Sequence, residues 1–167
     1  SNQVLKQGYF HGLLEKEISE MKKESERDSL NVRPLIFYGK LNAIKAELDR
    51  EGYEKAEEIY KKAVLLGPNY VQSRLALAEL YLLENNQEKA LEAVGKIKEF
   101  SYESPQLYNP LATFYVLTKN YKEAWRTINR SSALGVWPPP ADFLKWGRQS
   151  LKQGDFGEAK DFLEKII

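Results

Sequence analysis

Apolar residues recur every three or four positions through most of this chain, the period of helices that bury one face. The clearest stretch runs from Leu75 to Ile97 and predicts two short helices joined by the polar turn Glu84-Asn85-Asn86. Upstream, Phe10, Leu13, Leu14, Ile18 and Met21 share one face of a predicted helix over 9–27. Glu15, Lys16, Glu20, Lys22, Lys23 and Glu24 fill its other face, so it is expected to cover the open end of a helical stack. Asp28 to Arg33 breaks the pattern, and Pro34 suits the first turn of a helix over about 35–50. Phe37, Leu41, Ile44 and Leu48 lie on one face of that helix. Ser104-Pro105 reads as a helix start, and Pro110 implies either a kink or a late start capped by Asn109. Gly135 to Pro140 holds three prolines and predicts an extended spacer pinned by Trp137.

The pattern repeats. Ala56, Ala90, Ala124 and Ala159 are 34, 34 and 35 residues apart. Each follows Tyr53, Gln87, Tyr121 or Phe156 by three residues. Leu77-Ala78 with Tyr81 returns as Leu111-Ala112 with Tyr115, and Trp146-Gly147, with Phe143 before it, holds that place in the last copy. Tyr60, Ala63 and Pro68 complete the first copy, and Tyr108 opens the third. These residues and this period resemble the tetratricopeptide repeat. The resemblance covers roughly residues 35 to 167. It implies an all-α fold of antiparallel helix pairs wound as a right-handed superhelix, about nine helices with the leading one.

Ala or Gly is needed where two helix axes approach to about 8–10 Å. One pair cannot bury its apolar face alone, so the copies must stack. The expected organisation is a leading helix and linker over 1–34, then one continuous domain of four copies, 35–70, 71–104, 105–138 and 139–167. In the first copy Gly39, Ala43 and Ala46 fit the family pattern only with a one-residue shift.

Composition narrows the function. Of 167 residues, 29% are charged and 43% hydrophobic, an ordinary soluble balance, and the net charge of +1 creates no general demand for nucleic acid or membrane. There is no cysteine, which excludes disulfides and thiol chemistry but leaves the compartment open. No apolar run approaches a spanning helix of ~20 residues. The opening Ser1-Asn2 reads as a cleavage scar on an expressed fragment.

Nothing in the chain announces catalysis. His11 is the single histidine, too few for a metal site or a Ser-His-Asp set. Glu57-Glu58, Glu88, Glu92 and Glu164 have the spacing of solvated helix faces, and the glycines form no phosphate-cradling loop. No enzyme activity, cofactor or metal is expected. Between Lys119 and Lys152 there are seven basic residues (Lys119, Lys122, Arg126, Arg130, Lys145, Arg148, Lys152) against Glu123 and Asp142, interleaved with Tyr121, Trp125, Trp137 and Trp146. Such a mixture suits single-stranded nucleic acid. The aromatics fall largely on repeat positions that build the core, so a mildly basic scaffold end is the favoured reading.

The resemblance implies a protein-interaction scaffold whose first helices line a concave groove. By carry-over that groove uses Gln72, Leu75, Glu79 and Leu82, then Gln106, Asn109, Thr113 and Val116, then Leu144 and Arg148, with Tyr38, Leu41 and Lys45 extending it. Leu41, Leu75 and Leu144 stand where the family's chaperone-tail clamp has its leading Lys, and Lys45, Glu79 and Thr113 where it has Asn. The expected occupant is therefore a partly apolar peptide or helix. Leu75 and Leu82 are expected on a face the core does not need. The run Asn31-Val32-Arg33-Pro34 leading into the repeats resembles the tails of some bacterial membrane proteins that ligate or polymerise surface glycans. That resemblance implies an alternative, an extramembrane domain of a larger membrane protein involved in surface glycan assembly. At the other end Phe162, Leu163, Ile166 and Ile167 predict an apolar end face, covered by a further helix or by a second copy in a homodimer.

Overall fold

The structure, a computed structural model, describes residues 2–97 and 107–166, with the side chains of residues 2–7 outside that description. Among the described residues there are nine α-helices and no strand. They are α1 (Asn2–Arg27), α2 (Val32–Asp49), α3 (Glu54–Leu66), α4 (Val71–Leu83), α5 (Gln87–Gly95), α6 (Tyr108–Leu117), α7 (Tyr121–Ala133), α8 (Pro140–Lys152) and α9 (Phe156–Leu163), with a closing 3-10 turn Glu164–Ile166. The chain divides into two compact units, Ser1–Phe100 and Ser101–Ile167. In the first, α1 packs on α2, α2 on α3, α3 on α4 and α4 on α5, and α2 also meets α4. In the second, α6 pairs with α7 and α8 with α9, while α6 meets α8.

Every pair turns back on itself in the same way. Arg50, Asn85, Lys119 and Gly154 take φ of 56°, 56°, 57° and 80°. They are spaced by 35, 34 and 35 residues. The N–H of the next residue donates to the carbonyl five positions back: Glu51 to Ala46 (2.9 Å), Asn86 to Tyr81 (2.8 Å), Asn120 to Tyr115 (2.8 Å) and Asp155 to Ser150 (2.9 Å). This left-handed closure satisfies the last carbonyls of the first helix and reverses the chain within a few residues. Glycine takes that conformation at no steric cost, yet only the last pair uses it.

The periodic alanines sit where the pairs are tightest. Ala56, Ala90, Ala124 and Ala159 are 0–1% exposed. Ala78 and Ala112, from the first helices, are equally buried. In the last pair Gly147 takes this place and in the first Ala43 does, each seven residues before the left-handed turn residue as Ala78 and Ala112 are. A Cβ on Gly147 would come 2.7 Å from Leu163 Cγ and 3.3 Å from the Ala159 carbonyl oxygen. A Cβ on Gly39 would come 2.5 Å from Cε1 of Tyr60, four residues after Ala56 just as Leu163 is four after Ala159. Gly39, one helical turn before Ala43, is thus a further point of close approach in the first pair.

Helix α1 covers the end of its unit. Leu14 is buried, and Ile18 and Met21 pack against the cluster of Leu35, Tyr38, Ile59 and Ala63. In the second unit Trp125 stacks on Phe162 with centroids 4.6 Å apart, and Phe143 meets Trp146 edge-on at 5.3 Å. Phe162 is fully buried and Leu163 packs on Gly147, so of the expected apolar end face Ile166 is exposed and Ile167 lies outside the described residues. The proline loop is held by Pro138, which is fully buried, and by the Ser131 hydroxyl donating to the Val136 carbonyl (2.6 Å). Trp137, expected to be the pin, is 47% exposed and leans on Phe143 at 5.4 Å. Helix α6 opens two residues before Pro110, a late start in which the proline removes no needed donor. Its flanking residue is Leu107 rather than Asn109, and the Ser104-Pro105 signal lies outside the described residues.

Candidate partner-binding surfaces

The first-helix faces hold most of the residues that the family pattern points to, and packing divides them. In the first unit Gln72 and Glu79 are exposed on α4, with Leu82 half-buried near its end. Leu75 is 7% exposed. It belongs to the core, which corrects the expectation that the core does not need it. α4 is flanked by α2, α3 and α5, so more than one of its faces is apolar and covered. On α2, Tyr38 is buried in the cluster under Ile18 and Met21, and Lys45 pairs with Glu15 of α1 at 2.5 Å. The hydrogen bond that Lys45 donates to the Glu15 carboxylate holds its ammonium above the ordinary pKa. α1 thus occupies the side of α2 that Tyr38 and Lys45 were expected to open to a partner, and Leu41 between them is half-buried.

In the second unit Leu144 and Arg148 are exposed on α8. Val116 is completely buried, so it too is core rather than surface. Asn109 and Thr113 are half-buried and bonded to α8. The Asn109 side-chain amide donates to Asp142 Oδ2 (2.7 Å), and Trp146 Nε1 donates to Thr113 Oγ1 (2.9 Å). These two bonds align α6 with α8. Gln106 lies outside the described residues.

In the basic stretch from Lys119 to Lys152 the basic side chains are exposed, while most of the aromatics are tied into the fold. Tyr121 donates to Asp155 Oδ2 (2.8 Å), Lys119 Nζ lies 3.1 Å from the same carboxylate, and Gln153 Nε2 donates to the Leu117 carbonyl (2.9 Å). Hydrogen bonds from Tyr121 and then Lys119 hold the Asp155 carboxyl below its usual range. Trp125 Nε1 donates to Glu158 Oε2 (3.1 Å), and Trp146 is buried. Of the four aromatics that a single strand would stack on, only Trp137 is largely exposed.

One concavity is invisible in the sequence because its walls come from three helices. A cleft of about 260 Å³ lies between α3, α4 and α5. Val64, Leu77 and Ala93 form apolar wall, and Lys61, Arg74, Lys89 and Lys96 bring positive charge to it. Tyr81 lines it too, and its hydroxyl donates to Glu57 Oε1 (2.8 Å), which also takes Lys61 Nζ at 2.8 Å. Among the described residues no group of three or more His, Asp or Glu side chains is placed to hold a metal ion, and His11 pairs with Asp49 at 3.5 Å. No helix among them is long and apolar enough to cross a membrane.

Comparison with known proteins bears on the fold. No family model matches the chain. The crystal structure of MamA superposes with a TM-score of 0.59 over 95% of this chain and 89% of that one, at 19% identity. A MamA RS-1 ArsTM double mutant gives 0.58 over 99% and 89%, at 15% identity. The human protein O-mannosyl-transferase TMTC3 is 27% identical over 126 residues, which are 75% of this chain and 13% of that protein. This chain therefore spans about an eighth of that relative's length. The nine helices among the described residues, the recurring left-handed turn and the likeness to MamA together make the fold a tetratricopeptide-type helical repeat.

Proposed function

We propose that this chain is a non-catalytic protein-interaction module that takes a peptide or short helix of a partner on the exposed part of its first-helix faces. The observation that carries the reading is the mixture left uncovered there. In the first unit α4 leaves Gln72 and Glu79 exposed and Leu82 half-buried, and in the second α8 leaves Leu144 and Arg148 exposed. An apolar contact ringed by polar side chains is the composition of a protein interface. A tetratricopeptide-type fold supports a scaffold role, and the carry-over of Leu41, Leu82, Leu144 and Arg148 as contact residues belongs to this proposal.

The test is capture from a lysate on the immobilised chain, followed by mass spectrometry, with Leu82→Glu and Leu144→Glu run in parallel. Each variant should keep its helical signal and lose captured protein by at least about tenfold. An unchanged captured set in both variants would sink the proposal.

A second reading rests on the human relative. Its name assigns it mannosyl transfer, and the matched part is 13% of its length. In that reading this repeat is the binding part of a larger membrane protein that acts on glycans. Following the full gene product through membrane fractionation tests it; recovery wholly in the soluble fraction goes against it.

A further inference from the structure

We propose that the cleft between α3, α4 and α5 is a second binding site, built for an acidic peptide segment that carries an apolar side chain. Three observations converge. The first is size. About 260 Å³ is below the usual range for a whole small-molecule ligand and suits one or two side chains. The second is its wall, where Val64, Leu77 and Ala93 offer apolar contact inside a ring of charge.

The third is charge. Lys61, Arg74, Lys89 and Lys96 face Glu92, and Glu57 joins them through Lys61, leaving an excess of two positive charges. The entire chain carries only +1, so the excess is local to the cleft rather than a general basic surface. Both carboxylates are already held by cations, Glu57 by Lys61 (2.8 Å) and Glu92 by Lys96 (3.5 Å). Lys89 Nζ lies 5.3 Å above the Tyr81 ring centroid, a contact that positions the ammonium without neutralising it. Arg74 Nε donates to the Pro68 carbonyl (3.3 Å), which orients the guanidinium. A carboxylate-bearing segment matches this field. Nucleic acid does not, because Tyr81 is itself buried and its face is taken by Lys89.

The site shares no residue with the surface of the proposed function, and the two stand or fall separately. The experiment titrates the 15N-labelled chain with acetyl-Glu-Glu-Leu-Glu-Glu-amide, the same peptide with Gly for Leu, acetyl-Lys-Lys-Leu-Lys-Lys-amide, and inorganic phosphate. The acidic leucine peptide should shift amides within 61–64, 74–81 and 89–96 saturably. Arg74→Glu with Lys89→Glu should weaken it by at least about tenfold, as should raising the salt to about 1 M. The glycine peptide should bind about tenfold more weakly. Should the double reversal fail to fold, Lys89→Gln with Lys96→Gln is read instead, with a loss of about threefold expected. Leu82→Glu should bind the peptide as the parent chain does. The proposal is overturned by no saturable shift up to about 10 mM, where any useful affinity would register. Equal binding of the lysine peptide, equal binding of phosphate alone, or unchanged affinity in the cleft variants overturns it as well.

Discussion

Gly39 lies directly against the ring of Tyr60, so that a Cβ on the glycine would come 2.5 Å from Cε1 and 2.7 Å from Cδ1. Tyr60 has little room to retreat. It is 5% exposed, and burial, with the nearby Glu79 carboxylate, pushes its hydroxyl up to about 12. The contact sets how closely α2 approaches α3.

Gly39→Ala should therefore destabilise the chain by about 1–3 kcal/mol, the usual cost of overpacking. Gly12→Ala provides the contrast, since nothing lies within 4 Å of its would-be Cβ on α1. There the gain in helix propensity should stabilise by about 0.5–1 kcal/mol. Urea unfolding of both variants checks the pair; equal effects would break the packing account. Ala90→Leu and Ala124→Leu belong with Gly39→Ala, because both alanines are completely buried.

Arg50→Gly tests the shared turn. Arg50 holds φ of 56° at the end of α2, where a side chain is strained and glycine is not. The variant should gain about 0.5–1 kcal/mol in chemical denaturation. A loss of stability would show that Arg50 makes a contact worth more than the strain.

Glu57 makes stability depend on acid. Hydrogen bonds from Lys61 and then Tyr81 hold its carboxyl below the ordinary value of 4.5. Its folded-state pKa is depressed, so its contribution is fully present above about pH 4.5 and is lost as the pH falls through the lower folded value. Glu57→Gln should cost about 1 kcal/mol at neutral pH and flatten the decline in stability between about pH 5 and 3. Melting temperatures across that range, parent against variant, decide it.

Leu75 and Leu82 should part company. Leu75→Glu puts a carboxylate into the packed interior of α4 and should cost several kcal/mol, enough to lower helicity at room temperature. Leu82→Glu, at a half-buried position, should melt within a few degrees of the parent. Circular dichroism on the two single variants separates them, and equal melting points would return Leu75 to the surface.

The amino-acid sequence by itself determined the helices, their pairing and the repeat. Those features are local: an apolar period, a turn and a small residue each act within about 34 residues, and Ala56, Ala90, Ala124 and Ala159 declare them at nearly constant intervals. Tertiary structure alone decided which first-helix residues are surface. Leu75 and Leu82 are both leucines seven residues apart on one helix, and only the neighbours of α4 make one core and leave the other half open. Tyr38 and Lys45 looked available because the pattern that sets α1 over the open end of the stack does not say which side chains of α2 it covers. The cleft was illegible for the same reason. Lys61, Arg74, Lys89 and Lys96 sit on three helices at no common period, and only packing gathers their charges around one apolar hollow.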